Sequence, residues 1–241
     1  MSIAQRVQDS IGSIPPGQIF DYQALPSYTQ SPTAVIKAVS RLVAEKRLTR
    51  FAKGKFYVPK QGVIGQRKPS DTELLRSVLY KAGCLRGYIT GLALYNQLGL
   101  TTQVPRTITV AINGGRQEKA FGTIRIKTVV APMPVNEPDI KLLQYLDVLK
   151  GVKTIPDADI TESLNIMAGY IVELTKRKQT RLVELAETYY GPQTRALVGL
   201  LFNNLGLKLP KSLALSLNPT TTYPLKLDQQ QWPMAREWNI R

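Results

Sequence analysis

The cationic side chains of residues 46–68 have types and spacing suited to neutralising phosphate groups. Arg50, Lys53, Lys55 and Lys60 alternate with apolar and aromatic residues, and no carboxylate lies between the two ends of this range. Lys and Arg on exposed elements commonly hold the phosphates of a nucleic acid. A charged strand edge that resists aggregation is the simpler interpretation. The pattern therefore indicates either a nucleic-acid contact or a solvated basic surface.

The net charge of the chain is concentrated in the same region. The 241 residues carry 32 Lys and Arg against 17 Asp and Glu, which gives a formal net charge of +15 and a pI of about 9.9. Residues 1–68 hold eleven basic and three acidic side chains, so they supply +8 of this charge. A balance of this kind favours a polyanionic partner, although it carries no information about the fold.

Residue types that are absent or rare exclude several kinds of site. The chain has no histidine, which excludes His-based zinc sites and Ser-His or Cys-His catalytic pairs. The lone cysteine, Cys84, cannot form an internal disulfide, and we predict it to be a small buried residue in a reducing compartment. No apolar run reaches the ~18–20 residues of a membrane-spanning helix, and the first residues lack the apolar centre of a signal peptide. These observations predict a cytoplasmic protein.

A helix is predicted from residue 31 to about residue 46. Ser31 stands at an N-cap position and Pro32 at the first helical position. A helical projection separates an apolar stripe from an outward face that contains no acid. The stripe consists of Val35, Val39, Leu42 and Val43, and the outward face of Thr33, Lys37, Ser40, Arg41 and Ala44.

The order of the elements around this helix is that of a winged helix-turn-helix. A helix over 3–12 and a short strand over 18–22 precede it, and strands over 48–52 and 55–59 follow, joined at Gly54. Residues 48–60 would then form the wing. The predicted DNA contacts are Gln30, Ser31, Thr33, Lys37, Ser40, Arg41, Arg50, Lys53, Lys55 and Lys60. A winged helix that docks only a protein partner is the alternative interpretation.

The rest of the chain is predicted to form a second domain, in an α+β fold overall. The winged helix-turn-helix domain spans 1–62 and a linker spans 61–70. The second domain, 69–241, has a mixed α/β segment over 69–135, a mostly helical region over 136–206 and a loop-rich tail over 207–241. The mixed segment contains a helix with Asp71 or Thr72 as its N-cap, a helix from about Thr90, and a hairpin of strands 106–112 and 122–130. The helical region contains helices near 139–150, 161–176, 179–189 and 193–205.

No other constellation of residues indicates chemistry. Asp157, Asp159 and Glu162 lie close together, but their spacing does not match a calcium loop, and acids are favoured at a helix N-terminus. The basic run over 175–181 is interpreted as a solvated loop, with a second nucleic-acid contact as the alternative. We predict no cofactor, no metal and no enzymatic activity. A nucleic-acid-processing enzyme that uses Asp, Glu, Tyr or Arg is a further alternative.

Two segments resemble AbiEi-type antitoxins. Residues 40–60, SRLVAEKRLTRFAKGKFYVPK, are similar to the N-terminal winged helix of that family: Arg41 and Leu42 match its Arg-Leu pair, Arg50 matches its wing arginine, and the segment ends in a Gly-x-aromatic-Tyr-x-Pro motif. Residues 87–114, GYITGLALYNQLGLTTQVPRTITVAING, are similar to a second family motif, and the final EWNIR is similar to the ending of a long-chain branch.

The resemblance implies an antitoxin of a type IV toxin–antitoxin pair that acts in abortive infection, a form of phage defence. Such a protein represses its own operon by binding inverted repeats in the promoter. It also counteracts a nucleotidyltransferase-type toxin, and in that family the opposition need not involve a stable complex. The motif match implies that Arg41 and Arg50 contact DNA.

Overall fold

A computed structural model describes residues 2–62, 65–121 and 124–241, and it shows a mixed α+β protein. The chain divides into two compact units. The first unit is Met1–Arg86 with Phe121–Thr123, and the second is Gly87–Ala120 with Ile124–Arg241.

The first unit begins with two helices and a small antiparallel sheet. The elements are α1 (Ile3–Gly12), β1 (Ile19–Asp21), α2 (Pro32–Ala44), β2 (Thr49–Ala52) and β3 (Lys55–Tyr57), with short 3-10 turns at Tyr22–Ala24 and Pro26–Tyr28. The strand order is β1-β3-β2, and β3 is antiparallel to both neighbours. The predicted helices and strands of this region are therefore confirmed, with α2 ending two residues early.

A continuous apolar core joins these elements. The stripe predicted on α2 faces it: Val35 and Val39 are fully buried, and Leu42 is nearly so. Burying each such side chain stabilises the fold by ~1.5–3 kcal/mol. The other buried members come from every neighbouring element and are Val7, Ile11, Phe20, Leu25, Leu48 and Phe56.

The segment predicted to be a linker forms secondary structure instead. It contains β4 (Lys60–Gly62) and β5 (Gly65–Arg67), which pair antiparallel, while residues 63 and 64 lie outside the described ranges. The following elements are α3 (Asp71–Leu79), β6 (Tyr80–Lys81) and β7 (Cys84–Leu85). The N-cap of α3 is Ser70, whose hydroxyl accepts from the Glu73 N–H, and not Asp71 or Thr72. Cys84 is exposed, so its predicted burial is wrong.

Helix α3 is attached to the sheet of the first unit. Glu73 Oε1 accepts a hydrogen bond from the Ile19 N–H at 2.7 Å, and Arg76 Nη2 donates to the Ile19 carbonyl at 3.0 Å. The same carboxylate and guanidinium pair with each other at 2.7 Å. The compact units divide after Arg86, whereas the sequence predicts that α3 belongs to a second domain that starts at residue 69.

The second unit opens with a four-stranded sheet. Its elements are β8 (Gly87–Thr90), α4 (Leu92–Gln97), β9 (Thr107–Ile112), β10 (Gln117–Phe121) and β11 (Ile124–Val130), and the strand order is β10-β11-β9-β8. Strands β9 and β11 pair in parallel, so the predicted hairpin between them is wrong. The chain between them forms β10 on the far side of β11. Residues 87–90 are a strand, and the helix predicted from Thr90 begins at Leu92.

Helices make up most of the remaining chain. They are α5 (Ile140–Gly151), α6 (Ile160–Val172), α7 (Lys176–Tyr189), α8 (Pro192–Asn204) and α9 (Lys211–Leu215), followed by a 3-10 turn at Pro233–Trp238. The four predicted helices of this region are confirmed. Residues 176–181 are the first turns of α7 and not a loop. Within the described residues, no helix combines the length and apolar character that crossing a bilayer requires.

Candidate nucleic-acid interface

Helix α2 presents the outward face that the sequence predicts. Thr33, Lys37, Ser40 and Arg41 are all exposed, while the opposite side of the helix packs in the core. Ile36 also lies on the exposed side, with 40% of its surface accessible, although the helical projection assigned it no role. Neither Lys37 nor Arg41 is covered within the first unit.

Two predicted contacts flank the start of α2. Ser31 occupies the N-cap, but its hydroxyl makes no capping hydrogen bond. The exposed Gln30 is held by α1, because Arg6 Nη1 donates to Gln30 Oε1 at 2.8 Å. This bond uses the carbonyl oxygen of the Gln30 amide, and the NH₂ group of the same amide is a second polar group that can donate.

The hairpin of β2 and β3 carries cations at its outer positions. Gly54 has φ +72°, the left-handed conformation that the tight turn requires. Lys53 stands beside it and is exposed, as is Arg50 on β2. The register shifts between Arg50 and Ala52, which marks a bulge in this strand. The side chains of Arg50 and Lys53 can therefore contact a polyanion without rearrangement of the sheet.

Lys55 does not share this arrangement. It is half-buried, and its Nζ donates to the Ser77 carbonyl in α3 at 2.6 Å. A hydrogen bond from an ammonium group is stronger than one between neutral groups. The Lys55 side chain thus connects the hairpin to α3, and the prediction that it faces outward as a DNA contact is wrong.

The β4–β5 pair extends the basic surface. Exposed Lys60 lies directly across from exposed Arg67 in the antiparallel register. Like charges at opposite positions destabilise a strand pair, so the arrangement is costly without a counterion. Sequence reasoning missed Arg67 because it interpreted this segment as a linker, although the acid-free run included it.

The outward cations of α2 and the β2–β3 hairpin have no ion-pair partner in the described part of the chain. Among the residues that the structure describes, no ion pair joins Lys37, Arg41, Arg50 or Lys53 to an acid. The acids of the first unit that do form ion pairs include Glu45, which pairs with Arg47, and Glu73, which pairs with Arg76. The exposed cations of α2 and the hairpin therefore create a positive electrostatic potential at the protein surface, which can attract an anion.

Comparison with known proteins assigns a family. The sequence model of the family described as "Family of unknown function (DUF6088)" matches residues 6–163, which is more than half of the chain. The chain belongs to the DUF6088 family. No curated protein matches it significantly.

The residues matched by the DUF6088 model include the exposed face of α2, the β2–β3 and β4–β5 strand pairs and the four-stranded sheet of the second unit. The match ends in the first turn of α6. Helices α7 and α8 and the tail lie beyond it. The family description names no activity.

The second unit contains a half-buried carboxylate within the DUF6088 match. Asp147 of α5 accepts hydrogen bonds from Thr90 Oγ1 at 2.7 Å and from Tyr88 Oη at 3.1 Å, and Tyr190 Oη lies 2.9 Å from its other oxygen. Burial raises the pKa of the Asp147 carboxyl, and the three hydroxyl groups oppose that rise. Burial and the nearby carboxylate raise the pKa of Tyr88 and Tyr190 above the ordinary tyrosine range.

This cluster connects elements of the second unit. Strand β8 supplies Tyr88 and Thr90, α5 supplies Asp147, and Tyr190 follows α7. The three hydroxyl groups satisfy the half-buried carboxylate, since removing a charged group from water without hydrogen-bond partners is costly. Asp159, from the acidic segment 156–162, caps α6 by accepting from the Glu162 N–H. Within the described ranges, no group of three or more Cys, Asp or Glu side chains is placed to hold a metal ion.

Proposed function

We propose that this protein is a sequence-specific binder of double-stranded DNA. Its N-terminal region would act as a winged helix-turn-helix, with α2 as the recognition helix and the β2–β3 hairpin as the wing. The observation that carries this proposal is the exposed, acid-free face of α2 beside a hairpin whose Arg50 and Lys53 have no described carboxylate partner.

The dimensions of α2 suit this role. Its thirteen residues span about 20 Å along the helix axis. An α-helix with its side chains is about 10–12 Å in diameter, which fits the ~12 Å width of the major groove of B-DNA. Thr33, Lys37 and Ser40 supply donors to base edges in that position. The cations of the hairpin and of the β4–β5 pair contact phosphates, which positions the helix without reading sequence.

The resemblance to AbiEi-type antitoxins supports a more specific proposal. The protein would repress its own promoter by binding inverted repeats, as two or more copies, and would counteract a nucleotidyltransferase-type toxin. Arg41 and Arg50, the DNA contacts that the resemblance implies, are both exposed in the first unit. The DUF6088 assignment is compatible with this proposal and adds no activity of its own.

A binding titration tests the DNA proposal. The probe is the duplex immediately upstream of the reading frame, with an unrelated duplex of equal length for comparison. Lys37→Ala/Arg41→Ala should abolish the preference for the upstream duplex. The matched control, Lys208→Ala/Lys211→Ala, removes the same charge from exposed positions of the second unit and should keep that preference.

Two results would contradict the proposal. Undiminished specific binding by Lys37→Ala/Arg41→Ala would remove α2 from the recognition role. A weak attraction to both duplexes that moderate salt abolishes would indicate a protein-interaction module instead. The antitoxin role has a separate test, since co-expression should restore growth of cells that express a nucleotidyltransferase encoded by the adjacent reading frame.

A further inference from the structure

The exposed face of α2 has an apolar side and a cationic side. Ile36 follows Thr33 by one turn and precedes Ser40 by one turn, so these three side chains are neighbours on the helix surface. Arg41 lies on the opposite flank, at about 140° around the helix axis from Ile36. The face is thus ordered from an isoleucine, through hydroxyl groups, to a guanidinium.

The Ile36 side chain is not part of the apolar core. The α2 side of the core is already supplied by Val35, Val39 and Leu42, which are 0–3% exposed, whereas Ile36 is 40% exposed. Within the described part of the first unit, the exposed large apolar side chains are Ile36 and Tyr80. A single exposed apolar residue is ordinary on a protein surface, but Ile36 adjoins Thr33 and Ser40, the polar groups that would face a base edge.

The major groove offers one apolar group that such a side chain can contact. Guanine, adenine and cytosine show only hydrogen-bond donors and acceptors there, and thymine adds its C5-methyl group. An isoleucine cannot bind a phosphate or satisfy a polar base edge, and burying a donor against it would be unfavourable. The methyl group of thymine is therefore the partner that matches Ile36 in chemistry.

We propose that Ile36 is a specificity-determining residue that contacts the C5-methyl group of a thymine in the major groove. The inference rests on the proposed DNA binding by α2. It specifies that the bound half-site contains a thymine at the base pair facing the Thr33–Ile36–Ser40 side of the helix. The cationic flank contacts the neighbouring guanine or phosphate groups.

Replacement of thymine by uracil tests this contact, because it removes only the methyl group. The probe is the duplex upstream of the reading frame, first copied with dUTP in place of dTTP and then synthesised with one thymine at a time replaced by uracil. For the wild-type protein, affinity should fall about fourfold for each contacted methyl group, the factor that corresponds to ~0.8 kcal/mol. The loss should be confined to one position per half-site.

The Ile36→Ala variant completes the comparison. It should bind the thymine duplex about fourfold more weakly than wild type and should lose the sensitivity to uracil at that position. Ile36→Val keeps a branched apolar side chain and should retain the sensitivity. Val172→Ala, a truncation at an exposed helical position of the second unit, serves as the control and should behave as wild type.

Three results overturn the inference. Equal affinity of the wild type for the thymine and uracil duplexes means that no methyl group is read. A uracil penalty that persists in Ile36→Ala means that another residue reads it. If the wild type does not prefer the thymine duplex over an unrelated one, the proposed DNA-binding function fails as well, and this result is distinct from the other two.

Discussion

Arg76 donates a hydrogen bond to the backbone carbonyl of Ile19, 57 residues earlier in the chain, at 3.0 Å. Its ion-pair partner Glu73 accepts from the N–H of the same residue. Ile19 belongs to β1, an edge strand of the three-stranded sheet, and an edge strand leaves backbone groups unpaired. The side-chain pair satisfies both groups and attaches α3 to the sheet.

Glu73→Ala should therefore destabilise the first unit. The substitution leaves the buried Ile19 N–H without its acceptor and removes the partner of Arg76, at an expected cost of about 1–3 kcal/mol in the free energy of unfolding. Urea denaturation followed by far-UV circular dichroism measures this. Thr72→Ala, an exposed position in the same helix, is the control. An unchanged midpoint in Glu73→Ala would show that water replaces the carboxylate without cost.

Lys53 and Lys55 should respond differently to truncation, although only Gly54 separates them. Lys53→Ala should leave stability unchanged, weaken binding to all duplexes alike and lower the slope of log K against log salt by about 1. Lys55→Ala should lower stability by about 1–2 kcal/mol, because its ammonium bonds the Ser77 carbonyl. Salt-dependent anisotropy and urea unfolding distinguish the two effects. If Lys53→Ala lowered stability and Lys55→Ala weakened only DNA binding, the structural role of the contact between Lys55 and α3 would be contradicted.

Asp139 and Arg181 should contribute stability that is lost in acid. The two forked hydrogen bonds from the Arg181 guanidinium hold the pKa of the Asp139 carboxyl below its usual value. A lowered folded-state pKa means that the contribution is present above the unfolded pKa of ~3.9 and disappears as pH falls through the folded value. Asp139→Asn should cost about 1 kcal/mol at pH 7 and progressively less below about pH 4. A pH-independent difference between the two proteins would contradict this linkage.

Tyr190→Phe should destabilise the second unit more at neutral than at acid pH. It removes one hydroxyl group that opposes the effect of burial, so the folded-state pKa of Asp147 should rise further. A group with a raised folded-state pKa contributes fully below its unfolded pKa and loses that contribution as pH rises. We expect a cost of about 1–2 kcal/mol at pH 7 that is smaller at pH 5. Thr188→Ala, exposed on α7, is the control.

The sequence predicts well what depends on local periodicity. The bounds of α1, the start of α2 and the separation of Val39 from Lys37 follow from residues that are close in the chain. The direction of β11 relative to β9 could not be predicted in this way, because an alternating strand pattern is the same in parallel and antiparallel sheets.

Contacts between distant segments account for the other differences. The partner of Lys55 is 22 residues away, on a helix that was assigned to another domain. Cys84 belongs to a two-residue strand after a tight turn at Ala82 and Gly83, where both residues have positive φ, and such a short hairpin offers little surface to cover a side chain. Composition alone favours burial of cysteine, and the turn overrides it.

The contact between Gly199 of α8 and the indole ring of Trp238 constrains the order in which this sequence can change. A Cβ atom at position 199 would overlap the ring, so Gly199→Ala requires the tryptophan to move or shrink first. Shrinking Trp238 alone opens a cavity at a site that is 5% exposed, which typically costs 3–5 kcal/mol. Either substitution alone lowers the stability of the protein. The residues at positions 199 and 238 are therefore expected to change together or to stay as they are.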